Sequence, residues 1–382
     1  MQSRTLRFIL ILFNWLVCYV QLGIIGKFWR YLVFNLTGMK TSNRREFVMS
    51  SALCGIGIGL TGSVVKASTP GFKNEGKRIG IIGLDTSHSI AFTKALNGSN
   101  AVETYLGYKI VAAYPYGSRE IVSSSERIPG YTEEVRKFGV EIVNSIDELL
   151  PKVDVVMLET NDGRLHLEQA LQVIKAGKRM FIDKPVTTSL ADAILIYEAA
   201  KKYDVPLFSS SSLRYIKGMD ELLAGKIGNI LGAETYSPAK LEKTHPDLFW
   251  YGIHGVEMLF TVMGTGCKSV VRISTADTDL VVGSWNDGRI GTFRGIRKGK
   301  LDYGGTIFGE KGIQSFGNYA GYDSLLVRII RFFDTGIVPV KPEETLEILA
   351  FMEAADLSKV NNGASVELET VRKAAYQKAS QH

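Results

Sequence analysis

A lysine placed where a buried strand ends is the first residue in this sequence that could do chemistry. The apolar run Arg179–Ile182 is followed at once by Asp183-Lys184-Pro185. A lysine just past the carboxyl end of a central parallel strand projects into the crevice where such sheets bind ligands. Pro185 biases Lys184 toward extended backbone, and desolvation beside a cofactor can tune a lysine for proton transfer near neutral pH. We therefore predict that Lys184 is catalytic.

A second candidate site follows the first apolar run, Ile79–Ile82, where a turn leads into a helix. In this position backbone N–H groups at a helix N-terminus can hold a pyrophosphate. Gly83 fits the first glycine of the G-x-G-x-x-G pattern, but Asp85 and His88 occupy the second and third glycine positions. We predict a cofactor site here, with Asp85 capping the helix beside Thr86 and Ser87, and with His88 offsetting phosphate charge. A plain capping loop without a ligand is the alternative.

The second strand should end in an acid that holds the adenosine ribose. Here Lys109–Tyr114 runs into Pro115-Tyr116-Gly117-Ser118-Arg119, without an acid at the tip. Ser118 and Arg119 could accept a ribose phosphate, which would favour NADP, but a solvated arginine is an equally good interpretation. The sequence predicts NAD or NADP and leaves the choice open.

The elements that must position these residues follow from the hydrophobic pattern. Short apolar runs alternate with amphipathic segments, which is typical of a parallel sheet with crossover helices. One helix is predicted where apolar residues recur at i, i+3, i+4 and i+7 from Leu167 to Ile174, and another over Leu190 to Tyr203. The pattern predicts a doubly wound α/β Rossmann domain over residues 77–213, after a polar linker over 68–76. Its predicted strands are Ile79–Ile82, Lys109–Tyr114, Val140–Val143, Val153–Leu158, Arg179–Ile182 and Pro206–Ser210.

The second half, residues 214–382, has a different character. Longer strand-like runs are separated by turn signals, and Asn286-Asp287-Gly288 indicates a hairpin. We predict an α+β domain for substrate binding and oligomerisation, with an open, mostly antiparallel sheet and helices on one face at about 249–264, 321–335 and 342–360. Its predicted strands are Ser269–Ser274, Leu280–Trp285, Gly291–Gly295, Gly304–Phe308 and Gly312–Phe316.

Asp183-Lys184-Pro185 resembles the Glu-Lys-Pro motif of the Gfo/Idh/MocA family, named for glucose–fructose oxidoreductase and inositol dehydrogenase. The segment from Asp154 through Glu159-Thr160-Asn161 to His166 is similar to that family's fourth strand and following helix start. The resemblance implies that Thr160 and Asn161 line the nicotinamide side of the cofactor, with Asp183 and Pro185 beside them. His166 matches a position that is usually histidine; it is assigned to the cofactor site, with a structural hydrogen-bonding role as the alternative.

A second signature lies in the C-terminal half, in the segment Leu248–Met258. It is similar to the family's Asp-x-Gly-x-His helix, whose histidine faces the lysine across the substrate. Gly252 and His254 match the motif, whereas Trp250 stands at the aspartate position. The resemblance implies that His254 is catalytic together with Lys184. We predict that Trp250, with Tyr251 beside it, offers a flat apolar surface for stacking on a sugar ring.

The family resemblance implies hydride transfer between the nicotinamide and a sugar, polyol or sugar derivative, in a homo-oligomer. Two alternatives stay open. Some relatives oxidise, eliminate and re-reduce, which gives net glycosidic hydrolysis or a lyase outcome. A protein that binds a nucleotide or sugar without catalysis is the other alternative, which Asp85, His88 and Trp250 favour because they depart from the family pattern.

The first 67 residues contain two apolar stretches. Phe8 to Gly26 is long enough to cross a bilayer, so residues 1–38 are either a membrane helix or an extension upstream of a true start at Met39. From Met39 the chain reads Lys-Thr-Ser-Asn-Arg-Arg-Glu-Phe-Val, then an apolar run and a small-residue site before Ser68. Residues 39–67 resemble a twin-arginine (Tat) signal, which predicts a periplasmic protein or one anchored facing the periplasm.

The charge balance confines the basic character to this leader. The chain has 45 basic and 39 acidic residues, and residues 1–67 contain eight of the bases and one acid, which leaves 37 bases against 38 acids. Nucleic-acid binding is therefore excluded, and membrane contact is predicted only through the leader. Beyond the leader Cys267 is the only cysteine, so no disulfide framework or cysteine-built zinc site is possible there, and no metal is predicted.

Overall fold

The computed structural model describes residues 77–317, Tyr319 and residues 321–381. The predicted membrane helix or extension, the Tat-like signal and the linker over 68–76 all lie outside the described residues. Within the described part of the chain, no helix combines the length and apolar character needed to cross a bilayer.

The first sheet is the predicted Rossmann sheet. Its six strands are all parallel and lie in the order β3-β2-β1-β4-β5-β6. The chain crosses over between β1 and β4, so the crevice for ligands opens at their carboxyl ends. The strands are β1 (Arg78–Ile82), β2 (Lys109–Tyr114), β3 (Glu141–Ile142), β4 (Val155–Leu158), β5 (Arg179–Ile182) and β6 (Leu207–Ser209).

Helices cover both faces of this sheet. Those in the first half of the chain are α1 (Ser87–Asn97), α2 (Val122–Arg136), α3 (Ile146–Leu149), α4 (His166–Lys175) and α5 (Leu190–Lys202), with short 3-10 turns at Glu103–Tyr105, Leu150–Lys152 and Ser212–Tyr215. The predicted helix through Leu167 to Ile174 is α4, whose buried positions Ala170, Val173 and Ile174 pack into the core.

The second sheet is open and mixed, with seven strands in the order β12-β11-β7-β10-β9-β8-β13. Every neighbouring pair is antiparallel except β7 with β10. The predicted hairpin at Asn286-Asp287-Gly288 joins β9 to β10, and Gly288 has a φ of 87° that favours glycine. The strands are β7 (Ile230–Pro238), β8 (Cys267–Ser274), β9 (Thr278–Trp285), β10 (Ile290–Ile296), β11 (Gly304–Gly309), β12 (Gly312–Gly317) and β13 (Val366–Glu367).

The helices of the second half confirm the predicted arrangement, with two differences. The predicted helix over 249–264 is broken at Tyr251-Gly252, and the helix after β13 was not predicted. Helices α8 and α10 cover one face of the second sheet. The helices are α6 (Met219–Glu221, continued by a π turn over Leu222–Lys226), α7 (Asp247–Trp250), α8 (Ile253–Met263), α9 (Asp323–Thr335), α10 (Pro342–Val360) and α11 (Leu368–Ala379).

Two findings go beyond the sequence patterns. Strand β7 lies inside the second sheet, between β11 and β10, although its glycine and polar residues contain no strand signal. Helix α9 follows the second sheet in the chain but packs on the Rossmann sheet, where the Phe332 ring lies 5.0 Å from the ring of Phe208 in β6. Two hydrophobic clusters each include residues from both halves of the chain.

Candidate active site

A cavity of about 320 Å³ lies at the carboxyl ends of β1, β4 and β5, and residues from both halves of the chain line it. The ends of parallel strands meet at one edge of the sheet, which is why residues far apart in sequence converge here. The Rossmann half contributes Thr86, Ser87, His88, Asn161, Asp183 and Lys184. The second half contributes Trp250, Tyr251, His254, Tyr303, Tyr319 and Tyr322.

The structure brings the two predicted catalytic residues, Lys184 and His254, to this one cavity. Lys184 is half-buried, and its Nζ lies 6.0 Å from the centre of the Tyr251 ring. His254 is buried at the start of α8, with its Nδ1 2.8 Å from the hydroxyl of Ser211. Burial lowers the pKa of His254 well below its usual value, and the nearby Lys184 ammonium lowers it further. The His254 imidazole is therefore neutral at neutral pH.

An aromatic wall from the second half faces these two groups. The Tyr303 ring lies 5.9 Å from the ring of His254 and 5.9 Å from that of Tyr319, which lies 5.8 Å from that of Tyr322. Burial raises the pKa of Tyr303 to about 12, so its hydroxyl stays neutral. Trp250, which was predicted to stack on the substrate, lines the same cavity. No sequence motif marks the three tyrosines, which lie around β11 and β12.

Asp85 has a different role from the predicted helix cap. Its Oδ1 accepts a hydrogen bond from the backbone N–H of Asn161 at 3.0 Å, and its Oδ2 accepts one from Ser118 N at 3.2 Å. The N-cap of α1 is Thr86, and no side chain caps that helix. Burial raises the pKa of Asp85 to about 6, although the backbone N–H groups oppose this shift. Asp85 thus ties together the loops after β1, β2 and β4.

Ser118 and Arg119 are not arranged as the predicted ribose-phosphate site. Ser118 is buried, and its hydroxyl donates to Asp162 Oδ2 at 2.8 Å. Arg119 is exposed, with its guanidinium 5.6 Å from the ring centre of Tyr116. The cationic group that does line the cavity from this side is Arg127 on α2, which the sequence analysis did not identify.

His166 takes the structural role that the sequence offered as the alternative. It is fully buried, with Nε2 2.7 Å from the Thr160 carbonyl oxygen and Nδ1 3.1 Å from that of Val186. Neither ring nitrogen is left for a cofactor, so the prediction that His166 binds one is corrected. These contacts hold the loop that contains Thr160 and Asn161, and Asn161 lines the cavity. Pro185 is buried beneath this loop against Gly163.

His88 lies in a buried cluster with two carboxylates. Its Nδ1 is 3.1 Å from Asp183 Oδ1 and 3.8 Å from Glu159 Oε2. Burial, together with the neighbouring Asp183, raises the pKa of Glu159 well above its usual value. Burial also opposes ionisation of Asp183, but His88 and Lys184 outweigh it and lower the pKa of Asp183. Sequence reasoning missed Glu159 because a single acid after a strand has no motif to mark it.

The residues at the strand ends fit a nicotinamide cofactor in most respects. Gly83 has a φ of 95°, and a Cβ there would lie 2.4 Å from Thr160 N, so only glycine permits this close approach. Helix α1 has no acid in its first turn, and the buried Thr86 hydroxyl has no partner among the described residues. Such a helix start suits an anionic group. The one departure is Asp85, whose carboxylate lies in the crevice between β1, β2 and β4.

Comparisons with known proteins agree with this geometry. The profile of the Gfo/Idh/MocA oxidoreductases, described as having an NAD-binding Rossmann fold, matches residues 77–211. A 1,5-anhydro-D-fructose reductase from Ensifer adhaerens is 32% identical over 137 residues, covering 33% of this chain and 40% of that protein. A myo-inositol 2-dehydrogenase from Thermotoga maritima is 27% identical over 208 residues, covering 47% and 62%. The chain therefore spans less than two thirds of these curated relatives.

The fold of the whole described region matches solved structures. Scyllo-inositol dehydrogenase from Lactobacillus casei, solved with NAD(H) and scyllo-inositol bound, has a TM-score of 0.60 and 17% sequence identity. The alignment covers 76% of this chain and 99% of that one. The likeness extends across both the Rossmann sheet and the second sheet.

Proposed function

We propose that this protein is an NAD(P)-dependent oxidoreductase of the Gfo/Idh/MocA family, because that family's profile matches residues 77–211. Its substrate is a sugar, a polyol or a sugar derivative. The observation that carries the proposal is that Lys184 at the end of β5 and His254 at the start of α8 line one cavity.

The two residues divide the proton chemistry. A bound nicotinamide would accept hydride from, or donate it to, a substrate carbon. Lys184 takes the proton from the hydroxyl on that carbon during oxidation and returns it during reduction. His254 is neutral and is held at Nδ1 by Ser211, which leaves Nε2 to hydrogen-bond the same hydroxyl. Thr86, Ser87, Thr160 and Asn161 would hold the cofactor.

The substrate class is supported by the wall opposite Lys184. Neutral tyrosine hydroxyls and the indole of Trp250 combine hydrogen-bonding groups with flat apolar faces. That combination suits a ring with several hydroxyl groups. The relatives are consistent with it, since their names include a reductase of an anhydro sugar and a dehydrogenase of an inositol.

The proposal is tested by titrating the purified protein with NAD and NADP and then measuring nicotinamide absorbance with a panel of sugars and polyols. We expect one cofactor to bind and at least one polyhydroxylated substrate to change the absorbance. A folded protein that binds neither cofactor would contradict the proposal.

One observation favours a second candidate, a family member that binds a ligand without catalysis. Asp85 lies in the crevice that a pyrophosphate would follow, and its carboxylate is already engaged by two backbone N–H groups. If this arrangement persists in solution, the dinucleotide cannot take the usual path. Binding of polyols by calorimetry, without binding of either cofactor, would support this candidate.

We propose that the protein is exported by the twin-arginine pathway. Arg44-Arg45, the apolar run that follows and the small residues before Ser68 support this. Export of a folded chain suits a protein that loads its cofactor first. N-terminal sequencing of the protein from the periplasmic fraction should begin at Ser68, and Arg44→Lys with Arg45→Lys should retain it in the cytoplasm. A periplasmic protein that begins at Met1 would instead indicate a retained anchor.

We also propose that the protein is a homo-oligomer that pairs through the outer face of the second sheet. Register places Ile273, Ile290 and Ile313 on the face away from α8 and α10, and these side chains are 61%, 57% and 69% exposed. Exposed isoleucines on one face of a sheet support an interaction surface there. Light scattering should give a mass above that of one chain, and Ile290→Lys should lower it.

A further inference from the structure

The cluster of His88, Glu159 and Asp183 has the composition and spacing of a metal site. Among the residues that the structure describes, these three bring ligand atoms within 4.8 Å of one another. They come from three elements, since His88 lies in the first turn of α1 while Glu159 and Asp183 directly follow β4 and β5. Backbone hydrogen bonds fix both carboxylates at the sheet edge, from Glu159 N to Ile82 O and from Asp183 N to Leu158 O.

The three groups in this cluster are buried, and two of them are unsatisfied. Asp183 Oδ1 accepts a hydrogen bond from Lys184 N at 2.8 Å. Glu159 has no exposed surface, and neither of its carboxylate oxygens has a hydrogen-bond partner among the described residues. His88 Nδ1 is also without one, because its approach to Asp183 Oδ1 lacks hydrogen-bond geometry despite the 3.1 Å distance. A buried polar atom without a partner is costly, and His88 Nδ1 lies close to both carboxylates, so the arrangement indicates a missing common partner.

A cation fits this arrangement better than a proton does. With metal–ligand bonds of about 2.1 Å, two ligand atoms lie about 3.0 Å apart at a right angle and about 3.4 Å apart in a tetrahedron. Of the separations from His88 Nδ1, the 3.1 Å to Asp183 lies within this range, and the 3.8 Å to Glu159 shortens to it with a small shift of the glutamate side chain. A single proton shared between two of the groups would leave the third unsatisfied. The two carboxylates also balance the charge of a divalent cation. Their negative charge offsets the repulsion between the cation and the positive N-terminal end of α1.

We propose that His88, Glu159 and Asp183 bind a divalent transition metal ion. One imidazole nitrogen with two carboxylate oxygens suits Zn²⁺, Mn²⁺, Fe²⁺ or Co²⁺, whereas Ca²⁺ takes six to eight oxygens and Mg²⁺ keeps an oxygen-rich octahedron. Three protein ligands leave further coordination positions free. Because His88 and Asp183 line the cavity that contains Lys184, a free position faces that cavity and can take a water or a hydroxyl oxygen of the substrate.

Metal binding is tested on the full chain, without a polyhistidine tag, after chelation and dialysis. Calorimetric titration with Zn²⁺, and separately with Mn²⁺, should show binding of a single ion per chain. Mg²⁺ and Ca²⁺ at the same concentration should bind much more weakly. Glu159→Gln keeps the shape of the side chain and removes a ligand charge, so it should weaken Zn²⁺ binding by more than the roughly 10- to 100-fold that loss of a second-shell partner costs.

Glu353→Gln is the matched control, because Glu353 is a largely buried glutamate in α10, away from the cluster, that accepts a hydrogen bond from Leu190 N. It should bind Zn²⁺ as the unchanged protein does. If Glu159→Gln does not fold, Asp183→Asn serves instead, and visible absorption of the Co²⁺ form reports nitrogen and oxygen ligation directly. Failure of the wild-type protein to bind any of these ions, or equal affinity in Glu159→Gln and the control, would overturn the site. Titration with NAD and NADP is a separate measurement, so either result leaves the proposed function independently testable.

Discussion

On one side of the loop that follows β4, the buried carboxylates of Asp85 and Asp162 are fully hydrogen-bonded. On the other side, the buried carboxylates of Glu159 and Asp183 lie close together beside His88. Asp162 accepts hydrogen bonds from Ser118 Oγ and from Arg164 at three positions, and Asp85 accepts two from backbone N–H groups. Glu159, a few residues away, has no partner for either oxygen. We call the first group, with Gly117, the closed side, and Glu159, His88, Asp183 and Lys184 the open side.

The difference separates stability from function. A satisfied network adds rigidity, while an unsatisfied one costs stability and is retained where a ligand will complete it. The closed side joins three loops and leaves little capacity for a ligand. On the open side, His88, Asp183 and Lys184 line the cavity, and His88 Nδ1 and both Glu159 oxygens have no hydrogen-bond partner among the described residues. Substitutions on the closed side should therefore change stability first, and those on the open side should change binding and turnover first.

The largest effect is expected for Lys184→Ala on the open side. Loss of the general acid/base should lower kcat by about 10²- to 10⁴-fold, while the melting temperature and cofactor affinity stay close to those of the unchanged protein. Kinetics with the identified substrate, calorimetry with the cofactor and thermal unfolding measure the three quantities. Lys175→Ala at the exposed end of α4 is the control and should keep full activity. Undiminished turnover in Lys184→Ala would remove the assigned role.

Asp85 on the closed side should make stability depend on pH. Its pKa is raised from 3.8 to about 6 in the folded protein. The folded state therefore holds this proton more tightly, so the contribution of Asp85 to stability is greatest below about pH 4 and is lost as pH rises through about 6. The raised pKa corresponds to a loss of roughly 3 kcal/mol in the free energy of unfolding across that interval.

Urea unfolding at several pH values measures this contribution by comparing the unchanged protein with Asp85→Asn. The variant should lose the part of the pH dependence that belongs to Asp85, while other buried acids contribute equally to both proteins. Asp204→Asn, at an exposed position, is the control and should follow the unchanged protein. Identical pH profiles for Asp85→Asn and the unchanged protein would show that Asp85 is not buried as described.

Gly117→Ala tests how tightly the closed side is packed. A Cβ at this position would lie 2.3 Å from Asp85 Oδ2, so the loop or the carboxylate must move. We expect a loss of about 2 kcal/mol in the free energy of unfolding. Gly130→Ala is a matched control, because nothing lies within 4 Å of a Cβ there and the residue is inside α2. It should be neutral or slightly stabilising. Equal effects in both variants would contradict the tight packing.

Much of the fold could be predicted because its signals are local. The parallel strands are short apolar runs, and α4 and α10 have either clear periodicity or clear boundaries. Strand β7 could not be predicted, because Gly232, Thr235 and Ser237 are buried by their position between β10 and β11 rather than by their own hydrophobicity. The position of α9 on the Rossmann sheet is likewise a tertiary property.

The candidate site divides in the same way. Lys184 and His254 were predicted because a strand tip and a motif mark them, and both line the cavity. Asp85 was identified as an anomaly, but its true partners, Ser118 and Asn161, lie on other loops that only the folded sheet brings together. Glu159 lies within the segment that resembles the family's fourth strand but was assigned no role there, and the three tyrosines belong to no motif. Residues that stand alone in the sequence and come from separate elements cannot be recognised as a site before the fold brings them together.

The smallest predicted effect concerns Trp250, which extends the comparison to the wall opposite the open side. If its indole stacks on the substrate ring, Trp250→Ala should raise KM by about 10-fold and leave kcat nearly unchanged, because stacking holds substrate and transition state alike. Trp250→Phe retains an aromatic face and should recover most of the affinity. A fall in kcat at constant KM would instead show that Trp250 takes part in the chemical step. Cofactor affinity, measured by the same calorimetry, should not change in either variant, because the Trp250 ring packs 4.9 Å from that of His245 and belongs to the substrate side of the cavity.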